Sequence, residues 1–133
     1  MEIREYIEYK ESEIIRLYDS AGWTAYTADP EKLRKGFENS LTVLAAYDGD
    51  ELAGIIRAVG DGSTIVYIQD ILVFPGYRRK GIGRALTDAL LERYRGVRQI
   101  LLMTDDTPET KAFYRALGFR EISEAGCCAF IKV

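Results

Sequence analysis

The chain contains no histidine. That absence removes Ser–His and Cys–His nucleophilic mechanisms and most transition-metal sites, so no metal is expected. Acid–base chemistry has to come from carboxylates, tyrosine, lysine, cysteine or water. Cysteine is nearly as scarce, and its two copies, Cys127 and Cys128, are adjacent. Neighbours in a strand point to opposite faces, so the pair suits neither an ordinary intramolecular disulfide nor a zinc clamp and reads as strand filling. No apolar run approaches the length of a membrane span, and the opening MEIREYIEYK is charged from residue 2, without a signal-peptide core. The expected compartment is therefore the cytoplasm, with no membrane partner. Positive charge is not in excess either. The net charge is −3, which makes nucleic acid a poor partner. The one basic concentration is local, at Arg78, Arg79 and Lys80.

What is present describes an ordinary globular domain. The 133 residues are 47% apolar and 29% charged, enough for one hydrophobic core without staples, and the reading is a single domain over 1–133. EIREYIEY places Ile3, Glu5, Ile7 and Tyr9 on one face, weakly alternating, and reads as a strand. SEIIRLYDSAG reads as a short helix with Ser12 as cap and Gly22 as stop. A second helix starts at Asp29-Pro30 and buries Leu33 and Phe37, with Trp23, Ala25 and Tyr26 in the loop between. LTVLAAY and ELAGIIRAV are strands joined at Asp48-Gly49, and TIVYIQDILVF is a long strand after the turn GDGS. The helix after Gly81 carries a stripe of Ile82, Ala85, Leu86, Ala89, Leu90 and Tyr94. QILLMT is a buried strand, and TPETKAFYRALG a helix capped by Thr107 and ended by Gly118. FREI and CCAFIKV read as a closing pair of strands. The order β-α-α-β-β-β-α-β-α-β-β gives an α/β fold, a mixed sheet flanked by helices.

One stretch, YRRKGIGRALTDALLERY, conflicts with helix electrostatics. Three consecutive cations run into two glycines and a helix start, where free N–H groups already carry positive partial charge. A bound anion resolves the conflict: N–H groups at such a turn converge on phosphate, and glycines let it approach the backbone. The P-loop is excluded because Ile82-Gly83, not Lys-Ser/Thr, follows Gly81. The dinucleotide fingerprint is excluded because position 86 is leucine. The pattern that fits is Arg/Gln-x-x-Gly-x-Gly/Ala, filled by Arg78, Gly81 and Gly83.

With DILVFPGYRRKGIGRAL, KAFYRALGF and the element order, the chain resembles the GNAT superfamily of acyl-CoA-dependent N-acyltransferases over nearly its whole length. The resemblance implies that N–H groups near Gly81, Ile82 and Gly83 hold the pyrophosphate of acetyl-CoA, with Arg78, Arg79, Lys80 and Arg84 adding charge. It implies that the strand around Ile71, Leu72 and Val73 parts from its neighbour and pairs with the pantetheine amides, a Val73-region N–H meeting the oxyanion. Tyr114 stands where the family places the tyrosine that protonates or hydrogen-bonds the CoA sulfur, and a phenol suits a thiolate leaving group of lower pKa. The family often has asparagine seven residues before that tyrosine, where this chain has Thr107, a helix cap.

The general base has two readings: Asp70, the only carboxylate on the central strand, or a water chain ending at Tyr67 or Gln69. Strand alternation points Asp70 away from Tyr67 and Gln69. The family's acceptor enters against the segment joining the first two helices, here GWTAYTADP, so Trp23 and Tyr26 are the substrate-binding candidates. The expected activity is transfer of acetyl from acetyl-CoA to a primary amine of a small molecule or protein, with a homodimer compatible. Two rivals are a non-catalytic acyl-CoA sensor on the same fold and a nucleotide-phosphate enzyme, the latter lacking a P-loop lysine and an obvious magnesium pair.

Overall fold

Long runs of branched and small apolar residues between tight turns build the middle of the molecule. β2 (Thr42–Asp48) and β3 (Glu51–Gly60) form a hairpin in which Asp48 faces Glu51, so the turn is Gly49-Asp50, one residue past the expected dipeptide. β4 (Ile65–Val73) follows a turn in which Asp61 Oδ1 accepts the backbone N–H groups of Ser63, Thr64 and Ile65. The Thr64 hydroxyl, donating to Oδ2 at 2.6 Å, and then these backbone bonds hold the Asp61 carboxyl well below the usual carboxylate range. The computed structural model describes residues 1–133 and divides them into two units, Met1–Met103 and Thr104–Val133.

The first unit carries a five-stranded mixed sheet in the order β1-β2-β3-β4-β5, with β1 (Glu2–Glu5) and β5 (Gln99–Leu102) at its edges. All pairings are antiparallel except β4–β5, which is parallel. On one face Val43, Ala45, Ile55 and Leu72 pack with Ile14, Leu17 and Tyr18 of α1 (Glu11–Ser20) and Leu33 and Phe37 of α3 (Pro30–Glu38). The alternate set faces α4 (Ile82–Arg93), where the Thr42 hydroxyl is hydrogen-bonded to that of Tyr94, just past the helix end. The second unit holds α5 (Pro108–Ala116), whose Thr107 cap accepts the Thr110 N–H, and a 3-10 turn at Ile122–Ala125.

The mixed α/β class stands as expected, with differences in detail. Three helices, not two, separate β1 from β2, because Thr24–Thr27 closes a single helical turn, α2, where a loop was expected. β1 ends at Glu5, leaving Ile7 exposed while Tyr9 folds onto Phe37. Ser12 lies inside α1, and the N-cap position is Lys10, with no capping side chain. On α4, Ala85 is exposed and Thr87 buried, its hydroxyl satisfied by the Gly83 carbonyl. The closing strand pair does not form. Residues 119–133 contain the 3-10 turn and chain without a ladder partner, Gly126 takes φ +79, and Cys127 and Cys128 are exposed free thiols rather than strand filling. Hydrophobic alternation signals strand conformation but not a partner for its hydrogen bonds.

Between β3 and β4 sits the one ion pair in the core. Arg57 Nε donates to Asp70 Oδ2 at 2.7 Å, and the Tyr18 hydroxyl donates to the same oxygen at 2.6 Å. Burial opposes the Arg57 charge, but Asp70 and Tyr18 more than offset it and raise the guanidinium pKa. Burial first, then the Asp70 carboxylate, raises the Tyr18 phenol, which stays a donor. Removing Arg57 leaves the Asp70 carboxylate, which has no exposed surface, without its counter-charge. Arg57→Ala should therefore lower unfolding free energy in urea by about 3–5 kcal/mol. Arg57→Met with Asp70→Asn, which removes both charges, should recover most of that loss; equal losses in the two variants would contradict the pairing.

Candidate functional site

The helices of nine or more residues differ at their N-termini in a telling way. α3 and α5 are capped by Asp29 and Thr107, and α1 has Glu11 and Glu13 in its first turn. α4 has neither a capping side chain nor an acidic residue there, and three cations precede it. Its N-cap is Gly81 at φ +78, and Arg79, two residues earlier, is the only non-glycine residue with positive φ, at 63°. Left-handed residues belong to the turns whose successive N–H groups suit an anion. A non-glycine residue there is strained, and such strain concentrates at ligand sites. A Cβ on Gly81 would meet no protein atom within 4 Å, so the space above it is open to a ligand. None of Arg78, Arg79 and Lys80 enters an ion pair, whereas Arg84 reaches Asp88 at 3.7 Å.

The strand leading to this turn has a free edge. β4 pairs with β5 only from Ile65 to Ile68, and from Gln69 to Val73 its sole strand partner is β3. The Phe74 N–H donates to the Ala53 carbonyl at 2.9 Å, which fixes the alternation. Leu72 faces β3 with its polar groups, and Ile71 and Val73 turn theirs outward. The Val73 carbonyl duly accepts from Arg78 Nε at 3.3 Å. Gly54, opposite Val73, keeps β3 close, since a Cβ there would lie 2.6 Å from the Leu72 carbonyl oxygen.

A β-bulge revises the expected orientation of the polar residues on β4. Arg57 faces Asp70 and Ala58 faces Ile68, so Gln69 is the extra residue. Asp70 and Gln69 consequently reach the same layer of helices: Asp70 meets Tyr18 of α1, and Gln69 Nε2 donates to the Tyr26 hydroxyl of α2 at 2.9 Å. The Tyr18 and Tyr26 rings are 5.2 Å apart. Burial raises the Tyr67 phenol, partly countered by a hydrogen bond with the Met103 backbone, and the Tyr26 phenol lies near enough to add to the rise. The Asp70 side chain has no exposed surface. Trp23 stacks on Tyr26 with centroids 5.9 Å apart and remains 36% exposed.

In the second unit Tyr114 is half-buried on α5, between the edge-on rings of Phe113 and Phe119. Phe113 and Ala116 are exposed, while Tyr114 and Leu117 are half-buried. Burial raises the Tyr114 phenol despite a hydrogen bond with Thr104, so it keeps its proton at neutral pH.

A pocket of about 330 Å³ opens in the first unit, lined by α2, by the first turns of α3 and by Arg57. Tyr26 lines it; Trp23 does not. Arg57 went unnoticed in the sequence, although a lone cation among Leu52, Ile55, Ile56 and Val59 was the available signal. Nothing local could have shown the bulge or the left-handed Arg79.

A model of the acetyltransferase (GNAT) domain matches residues 6–133. The chain belongs to the GNAT acetyltransferase family. A GNAT-family acetyltransferase from Streptococcus pneumoniae TIGR4 superposes with a TM-score of 0.89 at 34% identity, covering 99% of this chain and 96% of that one. Histone acetyltransferase TAP1 of Glycine max is 33% identical over 77% of this chain and 48% of its own length. Serotonin N-acetyltransferase 2, chloroplastic, of Oryza sativa subsp. japonica is 35% identical over 67% of this chain and 46% of its own length. The chain thus spans about half the length of these two curated relatives. No helix is long and apolar enough to cross a membrane.

The cradle at α4 makes a direct prediction. Inorganic pyrophosphate at millimolar concentration should raise the melting temperature of the wild-type chain and leave that of Gly81→Val unmoved. A valine there both strains the left-handed backbone and fills the open space. Equal stabilisation of the two proteins would place the anion elsewhere.

Proposed function

We propose that the chain is an acetyl-CoA-dependent N-acetyltransferase acting on a primary amine in a ternary complex, with residues 1–133 as one catalytic domain working in the cytoplasm. The observation that carries this reading is the conjunction of a free β4 edge at Ile71–Val73 with an uncapped, cationic, left-handed turn one short step later. A nucleotide thioester needs both: an extended edge for pantetheine amides and an N–H concavity for pyrophosphate. Gly81, Ile82 and Gly83 supply the N–H groups, Arg78, Arg79, Lys80 and Arg84 the charge, and Ile71, Leu72 and Val73 the strand. No metal is required by this chemistry.

In the transfer step the amine nitrogen attacks the thioester carbonyl carbon. The C–N bond forms, the oxyanion is met by the Val73 N–H, and the C–S bond then breaks. The thiolate takes a proton from the Tyr114 phenol, and the attacking nitrogen gives one up. Support for Tyr114 comes from its half-buried position and its raised pKa, which keep a proton available. For the outgoing proton, Tyr67 and Gln69 with the Tyr26 hydroxyl form a polar group that water can join. Asp70, with no exposed surface and one oxygen already bonded twice, serves instead as a positioning residue for Arg57 and Tyr18. The acceptor enters beside α2, where Tyr26 and Trp23 stack.

Free thiol release from acetyl-CoA across a panel of amines tests the reading, and the absence of turnover with every amine would contradict it. Calorimetry should show CoA binding more tightly than pantetheine, with the difference shrinking as salt rises; equal affinities would remove the pyrophosphate site. Tyr114→Phe should retain CoA affinity and melting temperature while lowering kcat roughly 10²-fold. An unchanged kcat would leave Tyr114 as a packing aromatic.

A further inference from the structure

The pocket beside α2 contains a cation that the fold does not fully use. Arg57 is only 6% exposed, yet it is the sheet's contribution to the lining. Its Nε is bonded to Asp70 at 2.7 Å and its Nη1 reaches Ser40 Oγ at 3.3 Å; neither bond uses Nη2. The guanidinium carbon also lies 5.3 Å from the centroid of the Phe37 ring, a cation–π contact with the helix layer. Gly36 of α3 lets it sit there, since a Cβ at that position would be 3.3 Å from Nη1. Lys32 brings a second cation to the lining and Asp29 the one carboxylate, whose Oδ1 is occupied as the helix cap by the Lys32 N–H. Asp70 does not line the pocket. Arg57 and Lys32 are set against Asp29 at the lining and Asp70 behind it, so the unbonded Nη2 and the Lys32 ammonium are the donors left for a ligand, and the remaining wall is Ala25, Tyr26 and Leu33.

Arg57 is nine-tenths buried, is fixed in orientation by two hydrogen bonds, and lines a volume equal to roughly eleven water molecules. A guanidinium presented in this way is matched by a carboxylate, which accepts from it in a planar, charge-assisted contact. We propose that the pocket binds the carboxylate of the acceptor, so that the substrate class is a compact amine bearing a carboxylate, an amino acid with an apolar or aromatic side chain. The carboxylate meets Arg57, with Lys32 adding attraction, and the apolar body lies against Ala25, Tyr26 and Leu33. Tyr26 joins this pocket to the bulge on β4, because its hydroxyl accepts from Gln69. The assignment rests on the N-acetyltransferase reading and adds a specificity residue, Arg57, and a substrate class to it.

The test uses matched pairs on the wild-type protein: phenylalanine against phenethylamine, and leucine against isoamylamine. Thiol release from acetyl-CoA should give the carboxylated member of each pair a kcat/KM roughly ten-fold or more above its partner. Calorimetry of the same four compounds without acetyl-CoA should show the same order. Arg57→Lys, which keeps the charge and loses the fork, should bring the ratio within each pair close to one, and Lys32→Ala should reduce it by a smaller factor. If Arg57→Lys does not fold, the wild-type ratios and Lys32→Ala still decide. A plain amine used or bound as well as its carboxylated partner overturns the proposal, as does no binding by either member. Absence of thiol release with every amine counts against the acetyltransferase reading alone, since the calorimetric order decides the pocket separately.

Discussion

β4 runs beside β5 for four residues, Ile65–Ile68, and then continues without it. Most of what the first unit offers a ligand depends on that parting. A strand in the middle of a sheet has both rows of polar groups occupied, whereas β4 past Gln69 spends one row on β3 and keeps the other. The unpaired row would be an aggregation liability if it were long and flat. Here it is short, it bends at the Gln69 bulge, and it ends in a cationic turn. Those features suit a ligand with an extended amide-bearing arm and an anionic head.

The bulge links that edge to the core. By adding Gln69 it turns Gln69 and Asp70 toward one helix layer, so that Asp70 can bind Arg57 and Tyr18 while Gln69 reaches Tyr26. A buried ion pair contributes little net stability, because desolvation of both charges opposes their attraction. Its retention in this core is explained by what it holds in place: a guanidinium at the wall of the pocket, and the aromatic group Tyr18, Tyr26 and Trp23 above the strand. Packing, electrostatics and the proposed specificity thus meet at residues 57, 69 and 70.

Much of this was legible in the amino-acid order. The clash between Arg78–Lys80 and a helix start pointed to an anion, and α4 does start without a capping side chain, with Gly81 left-handed. Asp29-Pro30 and Thr107-Pro108 marked two helix starts correctly, because capping is a local matter of side-chain oxygens and free N–H groups. The errors came from interactions that are not local. Alternation placed Asp70 opposite Gln69 until a bulge intervened, and FREI and CCAFIKV have strand composition without a strand to pair with. On α5 Tyr114 is the more buried of two adjacent aromatics, which composition alone cannot orient. Arg57 was overlooked because a cation inside an apolar strand has meaning only once its partner across the ladder is known.

The central claim is that backbone groups, more than side chains, hold the cosubstrate. Amide hydrogen exchange followed by NMR with and without saturating acetyl-CoA tests it most directly. The account predicts that the amides of Ile71 and Val73 on β4, and of Gly81, Ile82 and Gly83 at the start of α4, exchange more slowly in the complex, while those of β1 and β2 change little. Unchanged exchange at both the β4 edge and the α4 start, with acetyl-CoA bound, would contradict it.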